Sequence, residues 1–330
     1  MSPELSPPRV LLVGAFDHHL HAHNSLRHRA LERLGSRVTP FNLTGPESWL
    51  SRLRRARLPD RLARAVDQAA PSVVLVIEPA PIEAAAVARL KHGSGATWAA
   101  WFCDAPASAH DVLSVGAGFD HLFVADQATA GRLGGPGNPP THYLAPGCDP
   151  SLHRPMRARD RFRANVVFAG AATPYRERVL SELVEFGLAI WGPGWRKTRL
   201  RDYCRGELLA HEDYVRAYAG ASVGVSLSRD GATPDGDPPG CDRRLFELAA
   251  IGVPQVAENL NDLRLHFREG SEVLVFHDLA ELRALTSEAL QDRAWAEQVA
   301  SGARQRALAE HTYMHRMAAL LGTVRVAQPT

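Results

Sequence analysis

Short hydrophobic runs alternate with amphipathic segments throughout the first half of the chain. Six such runs predict buried β-strands at Arg9–Gly14, Ser36–Phe41, Ser72–Ile77, Thr97–Phe102, His121–Ala125 and Thr141–Leu144. Segments whose apolar residues have helical spacing lie between them, at Ala22–Leu34, Glu47–Ala70, Ile82–Lys91 and Asp126–Leu133. Buried strands that alternate with helices predict a parallel sheet covered by helices on both faces.

The same alternation starts again after Ala145–Asp160, a segment rich in proline, glycine and charge that predicts a domain boundary. Strands are predicted at Asn165–Ala169, Leu188–Trp191, Ser222–Leu227, Val253–Ala257 and Glu272–Phe276. Helices are predicted at Pro174–Phe186, Glu212–Ala219, Arg243–Ile251 and Leu279–Leu290, and the last part of the chain contains helices only.

The predicted fold class is therefore α/β, with two Rossmann-like, doubly wound parallel-sheet domains that face a deep cleft. We assign residues 1–158 to an N-terminal domain and residues 159–311 to a C-terminal domain, and we expect a final helix, 312–322, to pack back on the first. Sheets of this kind bind ligands at the carboxyl ends of their strands. We therefore look for chemistry in the loops that follow each strand.

Composition limits the class of protein more than it indicates an activity. The chain has 330 residues, 45% of them hydrophobic and 22% charged, which is typical of a globular protein with two domains. Its net charge of +2 gives no indication of a nucleic-acid partner. Four widely spaced cysteines, no signal peptide and no membrane-spanning run lead us to expect a cytoplasmic protein with reduced thiols.

One helix carries the strongest candidate binding residues. It begins at Asp242, a good N-cap, and ends at Gly252, which is followed closely by a proline. Arg243 and Arg244 lie at its N-terminus, where the helix dipole and unpaired N–H groups attract a diphosphate. Glu247 lies one turn further, where a carboxylate can accept hydrogen bonds from ribose hydroxyls. An ordinary surface ion pair between arginine and glutamate explains the same spacing.

The first and fourth strands are followed by the candidate catalytic residues His18, His19 and Asp104. A histidine after the first strand can act as a base or donate to a substrate. His19 and His23 also have the spacing of a metal-binding pair, but no carboxylate or cysteine with ligand spacing accompanies them. Solvated residues at the start of a helix are the alternative interpretation. Asp104 either presents its carboxylate to the cleft or forms an Asx turn.

The second half repeats the strand, glycine turn and helix pattern, and it supplies further candidate ligand-binding residues. Gly170 allows a tight turn, Thr173 is an N-cap before a proline, and Arg178 lies in the first turns of the helix together with Arg176. Arginines near a helix N-terminus oppose the dipole, and a bound phosphate would resolve that conflict.

The next strand ends in a Trp-Gly-Pro-Gly-Trp run that begins with Trp191 and Gly192. Its backbone can approach a nucleobase edge, and an indole can stack on the base, although tryptophans in such turns also simply cap a core.

Two further patterns have alternative interpretations. Asp235 and Asp237 have the spacing of a metal-binding motif, but they lie in a loop rich in proline and glycine with no strand before it. Arg54, Arg57, Arg61 and Arg64 share one face of the predicted helix Glu47–Ala70. That face can touch anionic lipid, which predicts weak peripheral membrane contact, or it can be an ordinary solvated surface.

Several motifs, in this order, resemble the CgeB-type (spore maturation protein-like) glycosyltransferases, and the resemblance spans nearly the whole chain. They are Trp-Phe-Cys-Asp-Ala-Pro at 101–106, His-Tyr-Leu-Ala-Pro-Gly-Cys-Asp-Pro at 142–150, the turn at 168–178, Trp-Gly-Pro-Gly-Trp at 191–195, Arg-Leu-Phe-Glu-Leu-Ala-Ala-Ile-Gly at 244–252, the run at 273–282 and Glu-His-Thr-Tyr-Met-His-Arg at 310–316. The segments at 244–252 and 310–316 are the most specific of these.

The resemblance implies the GT-B fold and transfer of a sugar from a nucleotide diphosphate donor without an essential metal or other cofactor. It implies that Glu247 holds the ribose, that Arg244 contacts the diphosphate with Arg178 nearby, and that Asp104 lies on the acceptor side. Related retaining enzymes carry a second glutamate eight positions before the ribose glutamate, where this chain has Pro239. The stereochemical course and the contacts to the sugar therefore stay open.

We accordingly expect a metal-independent glycosyltransferase whose partners are a nucleotide-sugar donor and a small-molecule, glycan or protein acceptor, with no nucleic acid. Two alternatives stay open. One is a sugar-nucleotide epimerase of the same architecture, and the other is a non-catalytic sugar-nucleotide-binding protein, suggested by Pro239.

Overall fold

A computed structural model describes residues 7–16, 23–43, 58–79, 82–103, 108–207, 210–232, 236 and 239–326. The chain forms two compact units. Unit 1 comprises residues 1–145 and 313–330, and unit 2 comprises residues 146–312. Residues 146–158, which we assigned to the N-terminal domain, thus group with unit 2. His153 explains why, because its ring lies 3.7 Å from the carboxylate of Glu247 in the interior of that unit.

Unit 1 contains a parallel sheet of six strands in the order β2-β1-β3-β4-β5-β6. The strands are β1 (Arg9–Gly14), β2 (Arg37–Asn42), β3 (Val73–Ile77), β4 (Thr97–Phe102), β5 (His121–Val124) and β6 (Thr141–Tyr143). The helices are α1 (His23–Arg33), α2 (Leu58–Ala69), α3 (Ala84–Ser94), α4 (Ala109–Gly116) and α5 (Gln127–Leu133).

Unit 2 repeats this architecture with a sheet in the order β12-β11-β10-β7-β8-β9. Its strands are β7 (Ala164–Ala169), β8 (Leu188–Trp191), β9 (Cys204–Gly206), β10 (Ala221–Ser226), β11 (Gln255–Glu258) and β12 (Leu274–Phe276). Its helices are α6 (Pro174–Ser181), α7 (His211–Ala219), α8 (Arg243–Ile251), α9 (Leu279–Gln291) and α10 (Arg293–Glu310). The predicted fold class of two Rossmann-like parallel sheets is confirmed.

The central strands are buried on both faces, which explains why they read as continuous hydrophobic runs. All five residues of β3 are buried, as are the last five residues of β1 and of β4. Side chains from both faces of each sheet then pack against the flanking helices, as parallel sheets require.

The last helix, α11 (Tyr313–Val326), belongs to unit 1 and packs against α1. The guanidinium of Arg27 on α1 lies 4.9 Å from the ring of Trp101 and 5.1 Å from that of Tyr313, with no exposed surface. Arg316 donates a hydrogen bond of 2.8 Å to the carbonyl of Ala145. The C-terminal helix thus closes the core of the unit that begins at the N-terminus.

Two elements escape the sequence prediction. The edge strand β9 has three residues and no hydrophobic run. Helix α4 begins with a capping box, in which Ser108 and Asp111 bond reciprocally to each other's backbone, and this Ser-x-x-Asp signature is visible in the sequence.

No helix in the described part of the chain is long and apolar enough to cross a bilayer.

Candidate functional site

The strand order of unit 2 defines a crevice between two strand ends. β7 lies between β8 and β10. The connection after β7 leads to β8 on one side of the sheet, and the connection after β10 leads to β11 on the other side. Open α/β sheets bind ligands outside the carboxyl ends of strands at such a switch point. Ala169 ends β7, and Leu227 directly follows β10.

Arg244 bridges these two strand ends. Its Nε donates to the carbonyl of Ala169 at 3.1 Å, and its Nη1 donates to the carbonyl of Leu227 at 2.8 Å. The helix α8 places it there because Asp242 caps the N-terminus and accepts from the backbone of Leu245. Asp242 also pairs with the guanidinium at 2.7 Å. Burial lowers the pKa of Arg244, but Asp242 and Tyr218 outweigh this effect, so the pKa is raised overall and the side chain stays charged.

Arg176, on the first turn of α6, reaches the same place. It donates to the carbonyl oxygens of Ser228 at 2.8 Å, Ala171 at 3.0 Å and Leu227 at 3.2 Å. Its guanidinium carbon lies 5.3 Å from the ring of Phe168, and that of Arg244 lies 4.9 Å from the same ring. The two cations therefore share one carbonyl oxygen and one aromatic ring.

Among the described residues, only one of these two guanidiniums, that of Arg244, forms a direct ion pair. Burial, together with the neighbouring Arg244, lowers the pKa of Arg176 to about 10. That value still leaves the guanidinium charged at neutral pH. Arg244 pairs with Asp242, while each hydrogen bond described for Arg176 goes to a neutral carbonyl. Such a site favours an incoming anion, because arginine binds phosphate oxygens through several directed N–H groups.

Two glycines shape the wall of this crevice. A Cβ on Gly170 would lie 3.0 Å from Nη2 of Arg244 and 2.9 Å from the ring of Phe168. Gly192 has a φ of +142°, and a Cβ there would lie 2.0 Å from the carbonyl oxygen of Gly170. The indole of Trp195 donates to that same oxygen at 2.7 Å. Both predicted glycines thus lie at the strand ends, with backbone packed directly on backbone.

Thr173 lies at the site, whereas Arg178 does not reach the guanidinium pair. Thr173 caps α6 by accepting from the backbone of Arg176, and its hydroxyl donates to the carbonyl of Arg229 at 2.7 Å. Arg178 is exposed and lies over the ring of Tyr175 at 5.6 Å. Two residues along a helix correspond to a rotation of about 200°, so Arg176 and Arg178 point to opposite sides. Of these two arginines, Arg176 contacts the strand ends and Arg178 does not, and a contact of Arg178 with a phosphate stays a prediction.

The tryptophans of the Trp-Gly-Pro-Gly-Trp turn belong to the core, so the expected exposed indole is absent here. Trp191 is 4% exposed and packs against Phe162 at 5.9 Å between ring centroids, and Trp195 has no exposed surface. Neither ring offers an open face on which a nucleobase can stack. The alternative interpretation, a turn that caps the core, describes both residues.

Glu247 is buried one turn beyond Arg244. The hydroxyl of Tyr214 donates to its Oε2 at 2.6 Å, and its Oε1 lies 3.7 Å from both His153 and Arg243. Burial lowers the pKa of His153, against the opposing effect of Glu247. Glu247 is 1% exposed, so it is not the solvated surface ion pair that we considered. Neighbouring side chains, among them Tyr214, therefore cover this carboxylate.

A second buried carboxylate, Glu258, was not expected from the sequence. It ends β11 and accepts hydrogen bonds from the backbone N–H of Ser228 and from the hydroxyl of Tyr175. Burial raises its pKa, although these hydrogen bonds oppose the effect. A Cβ on Gly231 would lie 2.7 Å from the ring of Tyr175. Glu258 and Tyr175 thereby fix the loop after β10 against the first turn of α6, which carries Arg176.

Unit 1 has its own switch point, between β1 and β3. Glu78 follows β3 with a φ of +52°, a left-handed conformation that is uncommon for glutamate. Its Oε1 accepts from the backbone N–H of Cys103, after β4, at 2.6 Å. His18, His19 and Asp104 lie outside the described residues.

The structure neither supports nor contradicts the two hypotheses of a metal site. Asp235, Asp237 and His19 all lie outside the described residues, so neither proposed motif is seen complete. In the part of the chain that the structure does describe, no three histidine, cysteine or carboxylate side chains are grouped as metal ligands.

Residues 176–322 match a family model described as "Glycosyl transferase-like". The matched region begins at Arg176, and it contains Arg244 and Glu247. No curated protein matches the chain by sequence.

Solved structures of low sequence identity have the same fold over the whole length. Sucrose-phosphate synthase from Thermosynechococcus elongatus is 14% identical, with a TM-score of 0.72, covering 97% of this chain and 99% of that one. Anabaena HepE, in complex with UDP and glucose, is 12% identical with a TM-score of 0.64, covering 96% and 99%. A putative UDP-N-acetylglucosamine 2-epimerase from Listeria monocytogenes is 10% identical, with a TM-score of 0.54 and 96% of each chain covered.

These similarities agree with the topology of the two units, each a six-stranded parallel sheet with flanking helices. The chain therefore has the GT-B fold of glycosyltransferases, and its residues 176–322 carry the sequence pattern of the glycosyl transferase-like family.

Proposed function

We propose that this protein is a glycosyltransferase that moves a sugar from a nucleotide diphosphate donor, and that unit 2 binds the donor. The observation that carries the proposal is the pair of buried guanidiniums, Arg176 and Arg244, at the carboxyl ends of β7 and β10. The match of residues 176–322 to a glycosyl transferase-like family supports it independently.

The chemistry of glycosyl transfer fits this pair. As the bond between the sugar and the diphosphate breaks, positive charge develops on the sugar, and negative charge accumulates on the leaving diphosphate. Preorganised donors that face developing charge lower the barrier, and the loss of one typically costs about 3 kcal/mol. Arg176 and Arg244 are held in place by backbone carbonyls before any ligand arrives.

We further propose that the reaction needs no metal ion, because two guanidiniums can neutralise a diphosphate. Activity that survives EDTA would support this part of the proposal. An absolute requirement for added Mg²⁺ or Mn²⁺ would contradict it.

The nucleoside is proposed to lie next to α8, with its ribose on Glu247 once Tyr214 has moved. Anabaena HepE was crystallised with UDP and with UDP-glucose, so uridine diphosphate donors are the first to test. The narrower assignment to the CgeB type rests on the motifs of the sequence alone and stays part of the proposal.

The acceptor is proposed to bind at the strand ends of unit 1, where His18, His19 and Asp104 follow β1 and β4. Glu78 adds a carboxylate after the neighbouring strand β3. The acceptor class (a small molecule, a glycan or a protein), a cytoplasmic location and weak contact with a membrane surface stay proposals of the sequence.

The experiment is a thermal-shift panel of UDP, GDP, ADP and dTDP, followed by mass spectrometry of sugar release from the matching nucleotide sugar. We expect one nucleotide to stabilise the protein, and we expect its sugar to be transferred slowly to water when no acceptor is present. The donor-site assignment is wrong if none of the four nucleotides stabilises the protein.

An epimerase of the same architecture is the second candidate, favoured by the fold similarity to the putative Listeria epimerase. An epimerase would convert UDP-N-acetylglucosamine to a second isomer with no acceptor present. A non-catalytic binding protein, which Pro239 in place of a carboxylate suggests, would bind the nucleotide and neither release nor convert the sugar.

A further inference from the structure

A second, strongly basic cavity opens on unit 2, apart from the guanidinium pair at the strand ends. It has a volume of about 690 Å³ and lies between the segment Arg154–Arg163 and helix α7. This segment leads into the amino end of β7, whereas Arg244 contacts the carboxyl end of that strand at Ala169. A strand of this length spans roughly 17 Å, so the two sites are well separated.

The charge of the cavity is not balanced by its own carboxylates. Among the described residues, five arginines and two carboxylates line it. Each carboxylate is already paired, Asp160 with Arg163 at 3.2 Å and Glu212 with Arg216 at 2.7 Å. The remaining arginines are Arg154, Arg157 and Arg159, and none of them makes an ion pair or a side-chain hydrogen bond with any residue that the structure describes.

The backbone of the same segment contains further hydrogen-bond donors. Across the described residues, the N–H groups of Arg157, Ala158 and Arg159 donate to no protein acceptor. The positive potentials of neighbouring guanidiniums add in the concave space between them. Arginine forks beside open backbone N–H groups are the donors that phosphate oxygens accept from best.

We propose that this cavity is a second anion site, which binds a phosphate-bearing small molecule. Its volume is that of a small-molecule pocket rather than of an extended groove. A membrane surface fits less well, because Leu265 is the one large hydrophobic side chain exposed among the described residues, and it does not line the cavity. Single-stranded nucleic acid fits less well because no aromatic side chain in the described part of the chain lines the cavity for base stacking.

Isothermal titration with inorganic pyrophosphate, at about 0.15 M salt to suppress non-specific attraction, tests the proposal. The test protein is Arg157→Gln/Arg159→Gln, whose two exposed arginines make no ion pair with described residues, so folding is preserved. The matched control is Arg89→Gln, an exposed arginine of unit 1 that is likewise without such a partner.

We expect the double variant to lose one pyrophosphate site, or to bind there at least tenfold more weakly, while Arg89→Gln titrates like the wild type. UDP carries a diphosphate and can also enter the cavity, so the donor site is identified by its preference for UDP over pyrophosphate. The affinity for UDP at that site should be the same in all three proteins, because the donor site is untouched. If the proposed glycosyltransferase function is wrong, this preference will be missing, yet the difference in pyrophosphate binding between the proteins will still be measured.

Two results would overturn the proposal. One is a pyrophosphate titration of the double variant that matches that of the wild type. The other is a pair of observations: the wild type sediments with phosphatidylglycerol vesicles while the double variant does not, and neither Arg157 nor Arg159 affects pyrophosphate binding. That result would assign the arginines to a membrane surface.

Discussion

Arg176 and Arg244 donate hydrogen bonds to the same carbonyl oxygen, that of Leu227, at 3.2 and 2.8 Å. The two residues are far apart in the sequence and lie on different helices, and the crossover of the sheet brings them together. The two guanidiniums repel each other, and burial adds to the free-energy cost of keeping both charged, although Asp242 and Glu258 offset part of that cost. An anion that bridges them would remove that cost, so the pair is prepared for a ligand that carries at least one negative charge.

The proposed ribose contact predicts a selective effect of Glu247→Gln. We expect the affinity for UDP to fall roughly tenfold, because a charged acceptor of ribose hydroxyls is replaced by a neutral one. The affinity for inorganic pyrophosphate, which has no ribose, should not change. Titration calorimetry with both ligands measures this difference. Equal losses for the two ligands, or no loss for either, would show that Glu247 is structural only.

Tyr214→Phe examines the same contact from the other side. The variant removes the hydroxyl that donates to Oε2 of Glu247, so the incoming ribose no longer competes with it. We expect unfolding to become easier by about 1–3 kcal/mol, because a buried carboxylate loses a donor, and UDP to bind more tightly than to the wild type. A weaker affinity for UDP in a variant that remains folded would contradict the proposed displacement of Tyr214.

Gly192→Ala should be strongly destabilising. The new Cβ would lie 2.0 Å from the carbonyl oxygen of Gly170, at a φ of +142° that alanine rarely adopts. We expect a loss of at least about 3 kcal/mol in the free energy of unfolding, measured by urea denaturation. The control is Gly131→Ala, in helix α5, where a Cβ meets nothing within 4 Å and a slight gain in stability is expected. Similar stabilities for the two variants would disprove the close packing of these turns.

Glu258 should make the stability of the protein depend on pH. Burial raises its pKa above the ordinary value of 4.5, so the folded protein binds the proton more tightly than the unfolded chain. This contribution to stability is complete below pH 4.5 and is lost as the pH rises through the raised pKa. Glu258→Gln removes it, so we expect the difference in unfolding free energy between wild type and variant to change across this window. The exposed Glu83→Gln serves as the control, and a difference between wild type and Glu258→Gln that is independent of pH would contradict the assignment.

The hydrophobic pattern predicts the central strands well because they are buried on both faces, as β1, β4 and β8 illustrate. It also predicts the start and end of α8, since an N-cap aspartate and a C-terminal glycine are local signals. The edge strand β9 carries no such signal, because a short edge strand needs no apolar run. The order of strands in each sheet cannot be predicted from local sequence either, because it depends on pairing between distant segments.

The sequence indicates the loops at the strand ends of unit 2, but it does not indicate which of their side chains lie there. Arg178 was chosen in place of Arg176 because sequence proximity does not reveal which side of α6 faces β10. The burial of Trp191 depends on Phe162, which precedes β7, and so on a contact between separate segments. Glu258 meets Tyr175 only because β11 pairs with β10, so no motif reveals it.

The central claim is that Arg176 and Arg244 hold the diphosphate of the donor, and the most direct test is the affinity for UDP in three single variants. Arg176→Ala and Arg244→Ala should each bind UDP about 10- to 100-fold more weakly than the wild type, because charge-assisted hydrogen bonds are lost. Arg178→Ala, two residues along the same helix and exposed, should bind UDP within about twofold of the wild type. Circular dichroism establishes that all three variants are folded. The account is contradicted if Arg176→Ala and Arg244→Ala keep the wild-type affinity, or if Arg178→Ala loses as much as they do.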